Sequence, residues 1–181
     1  QGKKVVVVSS GDPGVFAMAS AIFEVVDKKN ISRDDLPIVV LPGITALLAA
    51  SARLGAPIGH DFCVINLSDN LKSWDILKSR VIAAAKADFV IAFYNPRSKS
   101  RKNQLSEIYD VLRKNCKSDR IVIYANSVST ESEAIFETTL SEADASSVSM
   151  KTLVIIGSSS TKKIRNTGYI YTPRYSGVEK N

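Results

Sequence analysis

The sequence predicts an α/β fold of alternating strands and helices. Three observations carry that prediction. Short apolar, β-branched runs such as Val5–Val8 recur, as in strands covered on both faces. Stretches with apolar residues three and four apart come between them, as amphipathic helices require. Small and polar residues stand directly after the strands, where open α/β sheets bind ligands. The chain has 181 residues, 45% of them apolar and 23% charged. That is enough apolar chain for a core, and it excludes wholesale disorder.

The elements follow in order. Val5–Val8 is expected as a buried strand, stopped by the turn signal Ser9-Ser10-Gly11-Asp12-Pro13-Gly14. A helix is expected from Val15 to Lys29, with Phe16, Ala19, Phe23 and Val26 on one face. Ile38–Leu41 reads as a second buried strand, ended by Pro42-Gly43. Ile44–Leu54 reads as an Ala/Leu-rich helix closed by Gly55. The stretch Gly55–Asp61 is rich in glycine and proline, and sets a domain boundary between 1–59 and 60–181. Beyond it, strands are expected at Phe62–Leu67, Phe89–Tyr94, Ile121–Tyr124 and Leu153–Ile156. Helices are expected at Trp74–Lys86 and Gln104–Lys114, and Tyr169–Tyr171 reads as a short edge strand. Thr130–Thr139 and Ser141–Ser149 show no decisive period. Mainly parallel sheets in two parts are the expected architecture.

Composition narrows the chemistry. Cys63 and Cys116 are too few for a disulfide scaffold or a zinc site, and suit a reducing cytoplasm. With one histidine and no ligand spacing, no metal site is expected. The apolar run Ala17–Ile22, broken by Ser20, falls far short of the ~20 residues a bilayer span needs. The net charge of +6 suggests an anionic partner. Its densest part is Arg97, Lys99, Arg101 and Lys102. No aromatic residue interleaves that cluster, which speaks against nucleic acid.

Four strand ends could share a pocket. They are Ser10-Gly11-Asp12-Pro13, Pro42-Gly43-Ile44-Thr45-Ala46, Tyr94-Asn95-Pro96 and Ala125-Asn126-Ser127. Glycine admits a ligand to the backbone, and Asp, Thr and Asn supply polar groups. Any one of these loops alone could be a simple turn, and Asp12 alone could be a helix cap. No G-x-x-x-x-G-K-[ST], G-x-G-x-x-G or G-x-S-x-G motif is present.

The order of these loops resembles the tetrapyrrole methylase family. The matching stretches are Val5–Ala19 (VVVVSSGDPGVFAMA), Leu41–Phe62 (LPGITALLAASARLGAPIGHDF) and Phe93–Arg101 (FYNPRSKSR). The resemblance implies S-adenosylmethionine held between two α/β domains, without a glycine-rich loop. It implies a cytoplasmic homodimer that methylates an anionic tetrapyrrole. By the family's pattern, Ser10, Gly11, Asp12, Val15, Thr45, Ala46, Asn95 and Ser127 would bind the cofactor. Arg97, Lys99 and Arg101 are expected at the substrate's carboxylates, which suit basic side chains. His60 and Asp61 are candidates for proton transfer, with a packing role at the domain joint as the alternative. Family members carry an additional strand and Gly-Pro-Gly loop ahead of the segment matched here, so the first domain is expected to be cut short. The competing functions are another methyltransferase of the same family, acting on a different tetrapyrrole or on ribosomal RNA, and an inactive binding fragment.

Overall fold

A computed structural model describes residues 2–98 and 100–175. They form two compact units, the first ending at Leu48 and the second starting at Ala49.

The first unit is built around helix α1 (Met18–Lys28). The expected helix starts three residues late, because Phe16 takes a left-handed φ of 54° and Ala17 is extended. Val5–Val8 and Ile38–Leu41, expected as buried strands, are in no strand. Val5, Val6, Val8 and Val39 are at least 80% exposed. A strand exists only through its neighbour's hydrogen bonds, and neither run has a ladder partner among the described residues. Helix α2 (Ala46–Leu54) begins at the end of this unit and continues into the second.

The second unit holds the core. After β1 (Gly55–Ala56) come β2 (Phe62–Asn66), α3 (Trp74–Lys86), β3 (Val90–Tyr94) and α4 (Gln104–Asn115). Then follow β4 (Ile121–Asn126), β5 (Ala134–Thr139), β6 (Thr152–Ile156), β7 (Lys162–Lys163) and β8 (Ile170–Tyr171). The larger sheet has the order β2-β3-β6-β4-β5. Only β2 and β3 pair in parallel; β3–β6, β6–β4 and β4–β5 are antiparallel. The expectation of mainly parallel sheets is therefore corrected to a mixed sheet. Burial on both faces was the sequence signal for parallel strands, and an antiparallel strand buried on both faces reads the same. The α/β class itself stands.

The smaller sheet has the order β1-β8-β7, so the strand expected at an edge is central. Its pairing with β1 joins Gly55 and Ala56 to Ile170 and Tyr171.

Alternate strand residues explain the core. Ile91 and Phe93, Val122 and Tyr124, and Val154 and Ile156 share one face. Leu77 and Val81 from α3 and Leu105, Ile108 and Leu112 from α4 pack in the same cluster, all fully buried. Ser73 caps α3 by accepting from the Ile76 amide, and the Trp74 indole N–H reaches Glu107 at 2.8 Å, tying α3 to α4. Truncating Phe93, which is fully buried on β3, to alanine is expected to cost about 3–5 kcal/mol. Urea unfolding of the Phe93→Ala chain checks this.

Candidate functional site

Strand direction decides what the second unit gathers. β6 runs antiparallel between β3 and β4, so β3 and β4 run the same way. Their carboxyl ends leave one sheet edge in register, since Phe93 and Tyr124 both face Val154. Asn95 and Asn126 thus stand level, about 10 Å apart across β6. Asn66 ends β2 at the same edge, opposite Tyr94.

The loops at this edge are tightly specified. The Asn95 amide donates to Asn66 Oδ1 at 3.1 Å, and the same oxygen accepts from the Ser68 amide at 2.9 Å. Asn126 Oδ1 accepts from the hydroxyls of Thr152 and Ser149 at 3.2 and 3.4 Å. Asn95, Ser127 and Ser129 take left-handed φ values of 51°, 49° and 64°. Three non-glycine residues in that region within two neighbouring loops are costly, and such strain clusters at functional sites. Sequence reading picked out the Asn95 and Asn126-Ser127 strand ends, with Asn95 and Ser127 as cofactor candidates, but not Asn66. The signal for Asn66 was its place as the polar end of an apolar run.

The basic cluster sits just past β3. Arg97 Nη1 donates to the carbonyls of Ala145 and Ser146 at 2.7 and 2.8 Å. Arg101 is 9% exposed, and its Nε donates to Ser98 Oγ at 3.2 Å. A cavity of about 300 Å³ beside them is lined by Arg97, Ser98, Lys102, Val148, Ser149 and Met150. Lys99 lies outside the described residues. A second, open depression of about 910 Å³ is lined by Arg53 and the loop Ser129–Glu133. There Glu133 bridges Arg53 at 3.2 Å and accepts from the Ser129 amide at 2.6 Å. Those bonds hold the Glu133 carboxyl below its ordinary pKa.

His60 and Asp61 fall elsewhere. They precede β2, and the Asp61 carbonyl accepts from Val90 at the start of β3. The sheet therefore separates them from Asn95 and Arg97 by the length of a strand, roughly 15–20 Å. His60 Nδ1 accepts from the Asp61 amide at 2.6 Å, which leaves the ring proton on Nε2. The thiols do not supply a nucleophile: burial pushes Cys63 up to about 11 and raises Cys116 as well. Among the described residues no group of three metal-ligating side chains occurs. None of the described helices is long and apolar enough to cross a membrane.

The remaining candidates belong to the first unit. Asp12 accepts from the Gly43 amide at 3.0 Å and from the Gly14 amide at 2.8 Å. Both carboxylate oxygens are thus engaged in stapling the Ser10–Gly14 loop to Pro42-Gly43. A Cβ on Gly43 would overlap the carbonyl oxygen of Gly11 and lie 3.0 Å from its carbon, so only glycine fits there. The staple carries Gly11 to within van der Waals range of the Ile44–Thr45 backbone. Ser10, Gly11, Asp12, Thr45 and Ala46 are therefore brought into one neighbourhood, and Val15 closes the turn by donating to the Asp12 carbonyl at 3.2 Å.

Fold and site together define a class: a mixed α/β unit preceded by a smaller one, with small-residue loops and no glycine-rich dinucleotide motif. The family model described as Tetrapyrrole (Corrin/Porphyrin) Methylases matches residues 1–144, and the chain belongs to that family. It is 48% identical to a precorrin-3B C(17)-methyltransferase from Sinorhizobium sp, over 99% of this chain and 72% of that protein. It is 40% identical to a probable cobalt-factor III C(17)-methyltransferase from Salmonella typhimurium, over 96% of this chain and 70% of that protein. Among solved structures it is similar to the methyltransferase CobJ, with a TM-score of 0.88 and 48% identity, covering 95% of this chain and 71% of that one. A uroporphyrin-III C-methyl transferase from Thermus thermophilus complexed with S-adenyl homocysteine shares the fold. Its TM-score is 0.56 at 18% identity, over 81% of this chain and 62% of that one.

The Gly43 amide gives a direct test of the staple. The amides of Gly43 and Gly14 hold the Asp12 carboxyl below its ordinary pKa. Its carboxylate therefore supports the loop above that value and loses the bond as pH falls through the lowered pKa. An NMR titration of the Gly43 amide is expected to move with a midpoint below the ordinary aspartate range. Asp12→Ala should abolish that titration and speed the amide's hydrogen exchange about tenfold at neutral pH.

Proposed function

We propose that this chain is an S-adenosylmethionine-dependent methyltransferase of corrin-ring synthesis, which methylates C-17 of precorrin-3B with ring contraction to precorrin-4. The single observation that carries the reading is identity near half with a C(17)-methyltransferase across nearly the whole chain. The structural likeness to CobJ supports it. The cobalt-containing substrate is the second reading, favoured by the 40% identity to the Salmonella protein. The substrate partner is an anionic tetrapyrrole in either case. A homodimer in the cytoplasm remains part of this proposal.

The residues fit the cofactor. Its carboxylate, ammonium, ribose and adenine need mixed donors and acceptors beside apolar walls. Ser10, Gly11, Val15, Thr45 and Ala46 in the first unit offer hydroxyls and closely approachable backbone, with the Asp12 staple holding them. Asn95 and Ser127 in the second offer an amide and a hydroxyl on strained, fixed loops. The cofactor supplies a methyl group already activated on a sulfonium. The chain's own part is to orient the ring carbon in line with that methyl and to exclude water. Proton transfer by His60 and Asp61 during contraction is a separable proposal. It rests on the Nε2 proton of a quarter-exposed imidazole.

Two measurements test this. Calorimetry with S-adenosylhomocysteine is expected to show one site per chain. Asn95→Gly keeps the left-handed backbone but removes the amide, and should weaken binding about tenfold. Unchanged affinity would remove Asn95 from the cofactor site. In a methyl-transfer assay on the tetrapyrrole, His60→Ala should lower kcat at least about tenfold if His60 moves a proton. An unaltered kcat would leave His60 a packing residue.

A further inference from the structure

Two arginines in the second unit are buried with an unpaired nitrogen, and they differ in a telling way. Arg120, 7% exposed, donates from Nη2 to Asp88 Oδ1 at 2.5 Å and from Nη1 to the Gly157 carbonyl. Its charge is matched inside the fold; only Nε is unpaired. Arg101, 9% exposed, is matched only loosely, by an ion pair with Asp69 at 3.8 Å. Nη1 has no hydrogen-bond partner among the described residues. Nη2 meets only the Met150 sulfur at 3.8 Å, a weak acceptor. Asp69 comes no nearer than 3.8 Å to Nε, beyond hydrogen-bond range. A guanidinium taken out of water this way lacks most of its compensation.

What adjoins it is suited to supply the rest. Ser98, which holds Arg101 Nε, and Met150, which covers Nη2, both line the 300 Å³ cavity. Lys102 and Ser149 line it too, so it presents a cation beside polar side chains. Met150 is 49% exposed and carries a flexible thioether. It can move aside at small cost, opening Arg101 to the cavity.

We propose that Arg101 is the fork of a single carboxylate subsite, with Met150 as its movable plug and Lys102 and Ser149 at its rim. Resting on the functional reading above, the subsite takes one acetate or propionate arm of the tetrapyrrole. Arg97 lines the cavity as well, but its Nη1 is already engaged by the carbonyls of Ala145 and Ser146, so it serves as a support for the wall. This separates Arg97 from Arg101, which the sequence presents as equivalent.

Uroporphyrin III and its octamethyl ester are the probes, and porphyrin fluorescence anisotropy with the 181-residue chain is the readout. The wild-type chain should bind the acid more tightly than the ester. Arg101→Gln should weaken the acid at least about tenfold and leave the ester unchanged. Arg101→Lys should fall between. Met150→Glu, at an exposed position, should mimic the variant by placing a competing carboxylate beside Arg101, and it stands in if Arg101→Gln fails to fold. Equal affinity of wild type and Met150→Glu for the acid would overturn the subsite, as would equal loss of acid and ester in Arg101→Gln. Failure of the wild-type chain to bind either probe would overturn the tetrapyrrole reading and the subsite with it.

Discussion

The antiparallel insertion of β6 between β3 and β4 sets the rest of the second unit. It makes two non-adjacent strands run the same way, so their carboxyl ends meet at one edge. It also imposes a return journey. β5 brings the chain back beside the start of β4, where Thr139 faces Ile121. The chain must then climb the sheet again before β6 starts opposite Asn126. It does so over residues 140–151 without a helix or strand. Its carbonyls are satisfied instead by side chains, in the order of the climb. Arg113 holds Leu140 and Ala143, Tyr124 holds Asp144, and Arg97 holds Ala145 and Ser146. Buried carbonyls need such partners, and three donors supply them here. The strap ends at Ser149 and Met150, beside Arg101. Site geometry is thus a consequence of how this strap is held.

Much of the fold was legible because burial on both faces leaves continuous apolar runs. The strands at Val90–Tyr94 and Thr152–Ile156 read clearly for that reason, and so did α3 and α4 through their period. Strand direction was not legible. Nothing in Leu153–Ile156 tells whether its neighbour runs with it or against it. β5 escaped for the opposite reason. It is an edge strand with an irregular pattern of exposure, and its register is held partly by Phe136 stacked on Tyr124 at 4.8 Å. Val5–Val8 shows the limit of local propensity: four valines favour a strand but cannot supply its neighbour.

The candidate site was legible as a set of loops, less so as a set of roles. Position after a strand marked Asn95 and Ser127, and both are held in the left-handed region. Sequence left His60 open between proton transfer and packing at the domain joint. The parallel pairing of β2 with β3 puts His60 and Asn95 at opposite ends of the strands. Asp12 was expected at the cofactor from the family's pattern, with a helix cap as the alternative. The glycines make it a staple, since Gly43 can approach only where no Cβ intervenes and its amide is then offered to the carboxylate.

The charge of the chain divides along the same lines. A run of basic residues in a loop is ordinarily a solvated surface, and its energetic weight is small. Burial changes that. Arg120 serves the fold, because its carboxylate and carbonyl partners belong to the chain, and Asp88 is fixed in turn by the amide and hydroxyl of Ser159. Arg101 is buried as deeply, but it is hydrogen-bonded only to a hydroxyl and a sulfur, with the Asp69 carboxylate at 3.8 Å. A buried cation so poorly matched weakens the fold that holds it, unless an anion completes the pairing. A polycarboxylate macrocycle carries that anion in several copies. The difference between the two arginines is therefore one of partners rather than of burial, and it distinguishes a charge that serves the fold from one suited to a ligand.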